Sequence, residues 1–152
     1  MGFVGHNKRS LAATVGAPGS THDARLLRKT KVFTDIMNQK TLPNKHMSLG
    51  GHGDIPLVTI GDSAFPSLPW LIKGYDEKTK DASEVFYNVK MRSARVVTEN
   101  CYGMLKGRWR ILYKKTEMKK FNLEYVIMSC IMLHNMCIHL NDPMRASMDL
   151  EC

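Results

Sequence analysis

The chain has 152 residues and carries 22 Lys and Arg against 14 Asp and Glu, a formal net charge of +8. At this length the chain is expected to be one domain or a piece of one, and the basic excess favours a polyanionic partner. The 4 cysteines form no Cys-x-x-Cys pair, which argues against a disulfide-stapled secreted scaffold and favours a reduced intracellular compartment.

The first third of the chain predicts a strand and a helix. Residues 11–15 (LAATV) are typical of a short strand, and residues 16–20 (GAPGS) of a turn. Ser20 or Thr21 is expected to cap a helix that begins near residue 22. That helix would direct apolar side chains toward a core: Ala24, Leu26, Leu27, Val32, Phe33 and Ile36.

The middle of the chain predicts one more strand. Residues 56–60 (PLVTI) form a buried strand candidate that ends at Gly61 and Asp62. Residues 66–73 are apolar and irregular, and Trp70 is expected to pack over the strand ends. Two strands make a poor sheet, since stable sheets usually have about four to six strands. The chain is therefore expected to lack strands at its N-terminus.

Two helices are predicted in the second half. Residues 88–105 place apolar side chains near a 3.6-residue spacing, and Gly103 and Gly107 weaken the end of this helix. Residues 121–140 form the last helix, in which Met128, Met132 and Met136 are expected to pack in the core. Its most apolar stretch, residues 126–133, is much shorter than the ~20 residues of a membrane span, so no membrane partner is expected. One domain over residues 1–140 and a tail over 141–152 complete the prediction.

Positive charge is concentrated between Lys90 and Lys120, where 10 Lys or Arg stand against 2 acids. Such a segment favours contact with nucleic acid, although a solvated helix face is the alternative. Lys106, Arg108 and Arg110 are the candidate phosphate ligands. Between them, Trp109 is better explained by packing than by base stacking.

Four blocks in the chain closely resemble Harbinger-type DDE transposases and the nucleases derived from them. They follow the order of that family and are, in sequence, VGAPGSTHDAR (15–25), IGDSAFP (60–66), SARVVTENCYGMLKGRWR (93–110) and LHNMCI (133–138). The resemblance covers roughly residues 4–140. It implies an α/β fold with an RNase H-like DDE catalytic core, here incomplete at the N-terminus.

The resemblance also implies metal-dependent cleavage of DNA. In that family three acids hold two divalent ions, Mg²⁺ or Mn²⁺, and the two ions serve the attacking and the leaving oxygen of the phosphodiester. Asp62 matches the second acid and Glu99 the third, so both are candidate catalytic residues and metal ligands. DNA is the expected partner, with a separate DNA-binding protein as a further one, and the nucleus is the expected location, with the cytoplasm as the alternative.

The chain departs from the family at the first acid. By spacing, Gly5 occupies that position, and glycine has no side-chain ligand. His6 or Asn7 would be a poorer substitute, and Asp23 is better explained as a residue at a helix start. We therefore expect an impaired endonuclease-like domain. The alternatives are a non-catalytic domesticated protein that binds nucleic acid or a partner, and a relic that is purely structural or untranslated.

Overall fold

The computed structural model describes residues 1–18, 20–41, 46–48, 50–113 and 118–142. In chain order, its elements are β1 (Gly2–Val4), β2 (Ser10–Ala13), α1 (Asp23–Arg28), α2 (Lys31–Met37), β3 (His46–Ser48), β4 (Asp54–Pro56), β5 (Thr59–Ile60), β6 (Leu71–Ile72), α3 (Ala82–Arg108) and α4 (Lys120–His139). Short 3-10 turns lie at Gly50–His52 and Arg110–Leu112. The mixture of helices and strands agrees with the α/β prediction.

The chain forms two compact units. The first unit is Met1–Ala17 with Val96–Cys152, and the second unit is Pro18–Arg95. The expectation of one domain over residues 1–140 stays a prediction, and residues 143–152 of the expected tail lie outside the described residues. Within the described part of the chain, none of the helices has both the length and the apolar character needed to cross a membrane.

The first unit begins with an antiparallel hairpin of β1 and β2. The Gly5 N–H donates to the Arg9 carbonyl at 2.9 Å and closes the turn, in which Lys8 adopts a left-handed φ of 63°. The strand predicted over residues 11–15 is confirmed in part, since β2 covers Ser10–Ala13. Helical side chains supply the buried positions of this unit: Cys101, Leu105, Cys130 and His134.

The predicted final helix is confirmed as α4, but its buried face differs from the prediction. Met132 and Met136 are 65% and 57% exposed, so the expectation that they pack in the core is wrong. Cys130 and His134 are buried instead. A helix that is apolar on every side does not indicate by its pattern which face will be covered.

In the second unit, the helix predicted from residue 22 onward is divided into α1 and α2. Thr30 separates them: its hydroxyl donates to the Leu27 carbonyl at 2.7 Å and accepts the Phe33 N–H at 3.1 Å. Thr30 is therefore the N-cap of α2. The expected cap by Ser20 or Thr21 is wrong, because the residue at the N-cap of α1 is His22, which makes no side-chain capping bond.

The buried strand predicted over residues 56–60 is also wrong. The structure has two short strands here: β4 pairs with β3 in antiparallel fashion, and β5 pairs with β6 in parallel. Val58 and Ile60 are exposed. The core of this unit is formed by other residues, since Leu27, Ile36, Trp70 and Leu71 are buried and Trp70 meets the Phe33 ring edge-on at 5.9 Å.

Helix α3 confirms the helix predicted over residues 88–105 and extends it at both ends. Asp81 starts it, since its Oδ1 accepts the Ser83 and Glu84 N–H groups at 2.8 and 3.2 Å. The helix continues through Gly103 and Gly107 to Arg108. Tertiary packing of Cys101 and Leu105 outweighs the cost of these glycines, which is about 1 kcal/mol each.

Candidate metal and nucleic-acid site

Asp62 follows the carboxyl end of β5, where the chain turns. The Gly61 N–H donates to the Ile72 carbonyl at 2.9 Å and continues the pairing with β6. Gly61 is buried, and a Cβ at this position would lie only 3.2 Å from side-chain atoms of Leu71 and Phe65. A larger residue at position 61 would require the side chains of Leu71 or Phe65 to shift slightly, so there is little room beside the backbone that leads into Asp62.

One carboxylate oxygen of Asp62 is held by the backbone and the other faces a cation. Oδ1 accepts the Ala64 N–H at 2.9 Å, in a short Asx turn. Oδ2 lies 4.0 Å from Nη2 of Arg95, and the two side chains are 39% and 43% exposed. Because water screens this pair, it contributes only about 0–1 kcal/mol to stability. Arg95 is therefore a readily exchanged partner for Asp62.

Glu99 is exposed on α3, two residues before the buried Cys101. It belongs to the first unit and Asp62 to the second, so the convergence of these carboxylates on one ion stays a prediction. Across the described ranges, no group of three or more His, Cys, Asp or Glu side chains is arranged to hold a metal ion.

Gly5, which the family resemblance places at the position of the first acid, directly follows β1 and has no side chain that could bind a metal ion. The neighbouring His6 and Asn7 are exposed, and Asn7 Oδ1 accepts the Arg9 N–H at 3.3 Å. Asp23 lies in the first turn of α1, where its charge suits the helix dipole. Asp62 and Glu99 provide the oxygen donors that a hard divalent cation prefers. The resemblance implies three carboxylates, so this predicted donor set is one carboxylate short.

The candidate phosphate ligands have different surroundings. Lys106 is exposed on the last turn of α3, with Nζ 5.8 Å from the centroid of the Tyr113 ring. Arg110 is exposed at the start of a 3-10 turn. Arg108 is only 9% exposed, and its Nη1 donates to Oδ2 of Asp142 at 2.7 Å. Lys106 and Arg110 are thus accessible to phosphate, whereas Arg108 is engaged in an internal ion pair.

The rest of the basic segment includes Trp109 and several residues beyond the 3-10 turn. Lys114, Lys115 and Glu117 lie outside the described residues. Trp109 is half-buried and meets the His134 ring edge-on at 6.3 Å, in keeping with a packing role.

Sequence reasoning missed a hydrogen-bonded cluster in the first unit, which we call the His134–Asn135 junction (Lys8, Ser10, Cys101, His134 and Asn135). Asn135 makes two bonds to the backbone of Ser10, and His134 Nε2 lies near both the Lys8 carbonyl and Cys101 Sγ. The signal in the sequence was the LHNMCI block, which contains both His134 and Asn135.

Comparison with known proteins agrees with this arrangement of motifs. A family described as DDE superfamily endonuclease matches residues 2–135. From Arabidopsis thaliana, a protein named antagonist of like heterochromatin protein 1 is 30% identical over 154 residues, covering 99% of this chain and 38% of the relative. A protein named ALP1-like, also from Arabidopsis thaliana, is 29% identical over 140 residues, covering 91% of this chain and 34% of the relative.

The chain spans little more than a third of the length of either relative. No solved structure matches it at a significant level. The family match nevertheless covers most of the chain and includes all the blocks quoted above except the last three residues of the final one. The resemblance to Harbinger-type transposases is thereby confirmed, and the chain belongs to the DDE superfamily endonuclease family.

Proposed function

We propose that this chain is a transposase-derived, DDE endonuclease-like domain that binds DNA and does not cleave it unaided. The observation that carries the proposal is Gly5. At the position of the first acid, the chain presents a glycine after β1. A two-metal reaction needs ions that stabilise both the attacking and the leaving oxygen, and each ion needs its carboxylates.

The remaining acids suit a weaker role. Asp62 and Glu99 are assigned here as the second and third acids of an RNase H-like core, and together they would hold a single Mg²⁺ or Mn²⁺. Such an ion, when bound, polarises phosphoryl oxygens. Asp62 would contribute Oδ2, which faces the exchangeable cation Arg95, while Oδ1 stays with the Ala64 N–H.

DNA binding rests on the charge and exposure of the segment around the end of α3. Lys106 and Arg110 are exposed, and neither forms an ion pair with a carboxylate within the described residues. Cations in this state release counterions when they contact phosphate, which produces a steep salt dependence. Arg108 would join them only if its ion pair with Asp142 opened.

The nucleus is the proposed location, because a relative is named as an antagonist of a heterochromatin-type protein. DNA is the proposed substrate class, in line with the endonuclease family. A separate DNA-binding protein is proposed as partner. The DNA contacts proposed for this chain are to phosphate, which carries no base sequence, so the partner would supply the recognition of a base sequence.

A plasmid nicking assay with Mg²⁺ or Mn²⁺ tests the loss of cleavage. We expect no nicking by the unmodified chain. Metal-dependent nicking that Asp62→Ala abolishes would refute the proposal, because another residue would then replace the missing acid.

Fluorescence anisotropy with duplex DNA over a salt series tests the binding. Lys106→Ala with Arg110→Ala should reduce the salt slope by about 2, at roughly 0.9 per phosphate contact. The matched control is Lys78→Ala with Lys80→Ala, which removes the same charge from exposed positions elsewhere. If both double variants lost the same amount of salt slope, the loss would reflect net charge and would not indicate a DNA-binding surface at Lys106 and Arg110.

Binding of a protein partner is the second candidate function. It is favoured by large apolar side chains exposed on α4, among them Met132, Met136 and Leu140 at its end. Absence of DNA binding at low salt would favour this candidate over the first.

A further inference from the structure

Asn135 binds β2 as a neighbouring strand would. Its Oδ1 accepts the Ser10 N–H and its Nδ2 donates to the Ser10 carbonyl, both at 2.8 Å. The two residues are 125 positions apart in the chain. Because a pair of opposed hydrogen bonds sets both distance and direction, β2 cannot slide along α4 without breaking both of them.

His134 joins the same hairpin to α3. It is 1% exposed, and its Nε2 lies 3.1 Å from the Lys8 carbonyl and 3.7 Å from Cys101 Sγ. A carbonyl only accepts hydrogen bonds, so Nε2 carries the proton and the neutral ring has its lone pair on Nδ1. Nδ1 is buried and has no hydrogen-bond partner among the described residues.

The surroundings keep this ring neutral. A second proton on Nδ1 would be buried without an acceptor, and burial lowers the pKa of His134 below its ordinary value, with the Arg108 charge adding to the effect. The Lys8 carbonyl opposes this shift. The neutral tautomer therefore preserves the bond to Lys8 near neutral pH.

We propose that His134 and Asn135 are positioning residues that hold the first-acid position against helix α3. Lys8 lies three residues after position 5, and Cys101 two residues after Glu99. The junction thus ties together the two elements of the first unit that bear the first and third acid positions. This inference rests on the proposed function, which assigns those positions, and it goes beyond the metal ligands themselves.

The junction is formed although position 5 bears no carboxylate. Gly5 is not among the glycines with positive φ, so an L-residue fits its backbone. A Cβ there would lie 3.1 Å from Asn7 Oδ1, on an exposed side chain that can move, and 3.5 Å from Leu11 Cδ2. A carboxylate introduced at position 5 should therefore be held in place by contacts that already exist.

Mn²⁺ binding, followed by electron paramagnetic resonance, provides the test. Gly5→Asp should raise Mn²⁺ affinity about tenfold over the parent chain, through about 1.4 kcal/mol of added interaction. Glu99→Gln in that background should remove the gain. Asn135→Ala should also remove it, since residues that orient ligands typically change metal affinity about 10- to 100-fold. Asn122→Ala, an exposed asparagine on the same helix, is the matched control and should keep it.

Conservative replacement separates positioning from bulk packing. In the Gly5→Asp background, His134→Gln keeps an amide donor for the Lys8 carbonyl and should retain most of the gain, whereas His134→Leu should lose it. Amide hydrogen exchange at Ser10 checks each variant directly: exchange should rise in Asn135→Ala while circular dichroism shows a folded chain.

Two results would overturn the inference. One is an Asn135→Ala, Gly5→Asp chain that is folded and keeps the full Mn²⁺ affinity. The other is a Gly5→Asp chain with no gain over the parent, which would remove position 5 from the metal site. DNA binding through Lys106 and Arg110 is measured on the same variants and should not change, so failure of the proposed DNA binding is recognised separately.

Discussion

Replacement of Arg108 by alanine tests whether this residue binds DNA or holds the fold together. The sequence predicts a phosphate ligand, whereas the structure has an internal ion pair. Nη1 of Arg108 donates to Oδ2 of Asp142 at 2.7 Å, and Nη2 donates to the Asp142 carbonyl oxygen. The Arg108 side chain is 9% exposed and that of Asp142 53%. The pair links the last residue of α3 to the segment after α4.

The expected cost follows from these contacts. Hydrogen bonds to charged groups contribute about 1.5–3 kcal/mol when protected from water. Asp142 is half exposed, which reduces that contribution through solvent screening, while the buried arginine stem adds a packing loss. We expect Arg108→Ala to lower the free energy of unfolding by about 2 kcal/mol. With a urea m-value of about 1–3 kcal/mol/M, the midpoint should fall by about 1 M.

The assay combines urea denaturation with the salt series of DNA binding. Arg108→Ala should lower the urea midpoint and leave the salt slope nearly unchanged. Lys106→Ala and Arg110→Ala should each reduce the slope by about 0.9 and leave the midpoint unchanged. If Arg108→Ala instead leaves the midpoint unchanged and reduces the slope by about the same amount as the other two, Arg108 binds phosphate and does not stabilise the fold.

Three further predictions concern the two units. Since burial lowers the pKa of His134 in the folded chain, the unfolded chain binds this proton more readily. The contribution of His134 to stability should therefore be greatest above the ordinary histidine pKa of about 6.5 and should fall as the pH drops below it. Urea midpoints measured at several pH values should fall less in His134→Gln than in the parent chain. Ile36→Ala should cost about 2–5 kcal/mol in the same assay, because Ile36 is 1% exposed; an unchanged midpoint would contradict its place in the core. Asp62→Asn keeps an acceptor for the Ala64 N–H and should cost less than about 1 kcal/mol, yet Mn²⁺ binding to the Gly5→Asp chain should weaken measurably in titrations, unless Asp62 is no ligand.

Local sequence patterns predicted the long helices well and the short elements poorly. Residues 88–105 and 121–140 carry enough apolar and helix-forming residues to identify α3 and α4. The division between α1 and α2 was missed, because the Thr30 hydroxyl competes for backbone groups that a continuous helix would use. The strand over residues 56–60 was misassigned, since each half pairs with a different partner.

The candidate site shows the same division. Asp62, Glu99 and the departure at Gly5 were predicted from the family resemblance, and the basic segment was predicted from its count of charges; the metal-binding roles of the two acids stay predictions. Lys106 and Arg110 are exposed, whereas Arg108 is covered and paired with Asp142. This difference could not be predicted from the sequence, because Asp142 is 34 residues away from Arg108 in the chain.

The family, the order of the motifs, the two long helices and the charge of the segment around Arg108 could all be predicted from the amino-acid sequence. These properties follow from residue identity and from spacings of a few residues, where helix periodicity and capping act. Three features became known only from the folded chain: the buried face of α4, the ion pair of Arg108 with Asp142, and the hydrogen bonds of Asn135 to Ser10. These features depend on contacts between residues that are far apart in the chain. A local sequence pattern is compatible with many different partners for a given side chain, and only folding selects one of them.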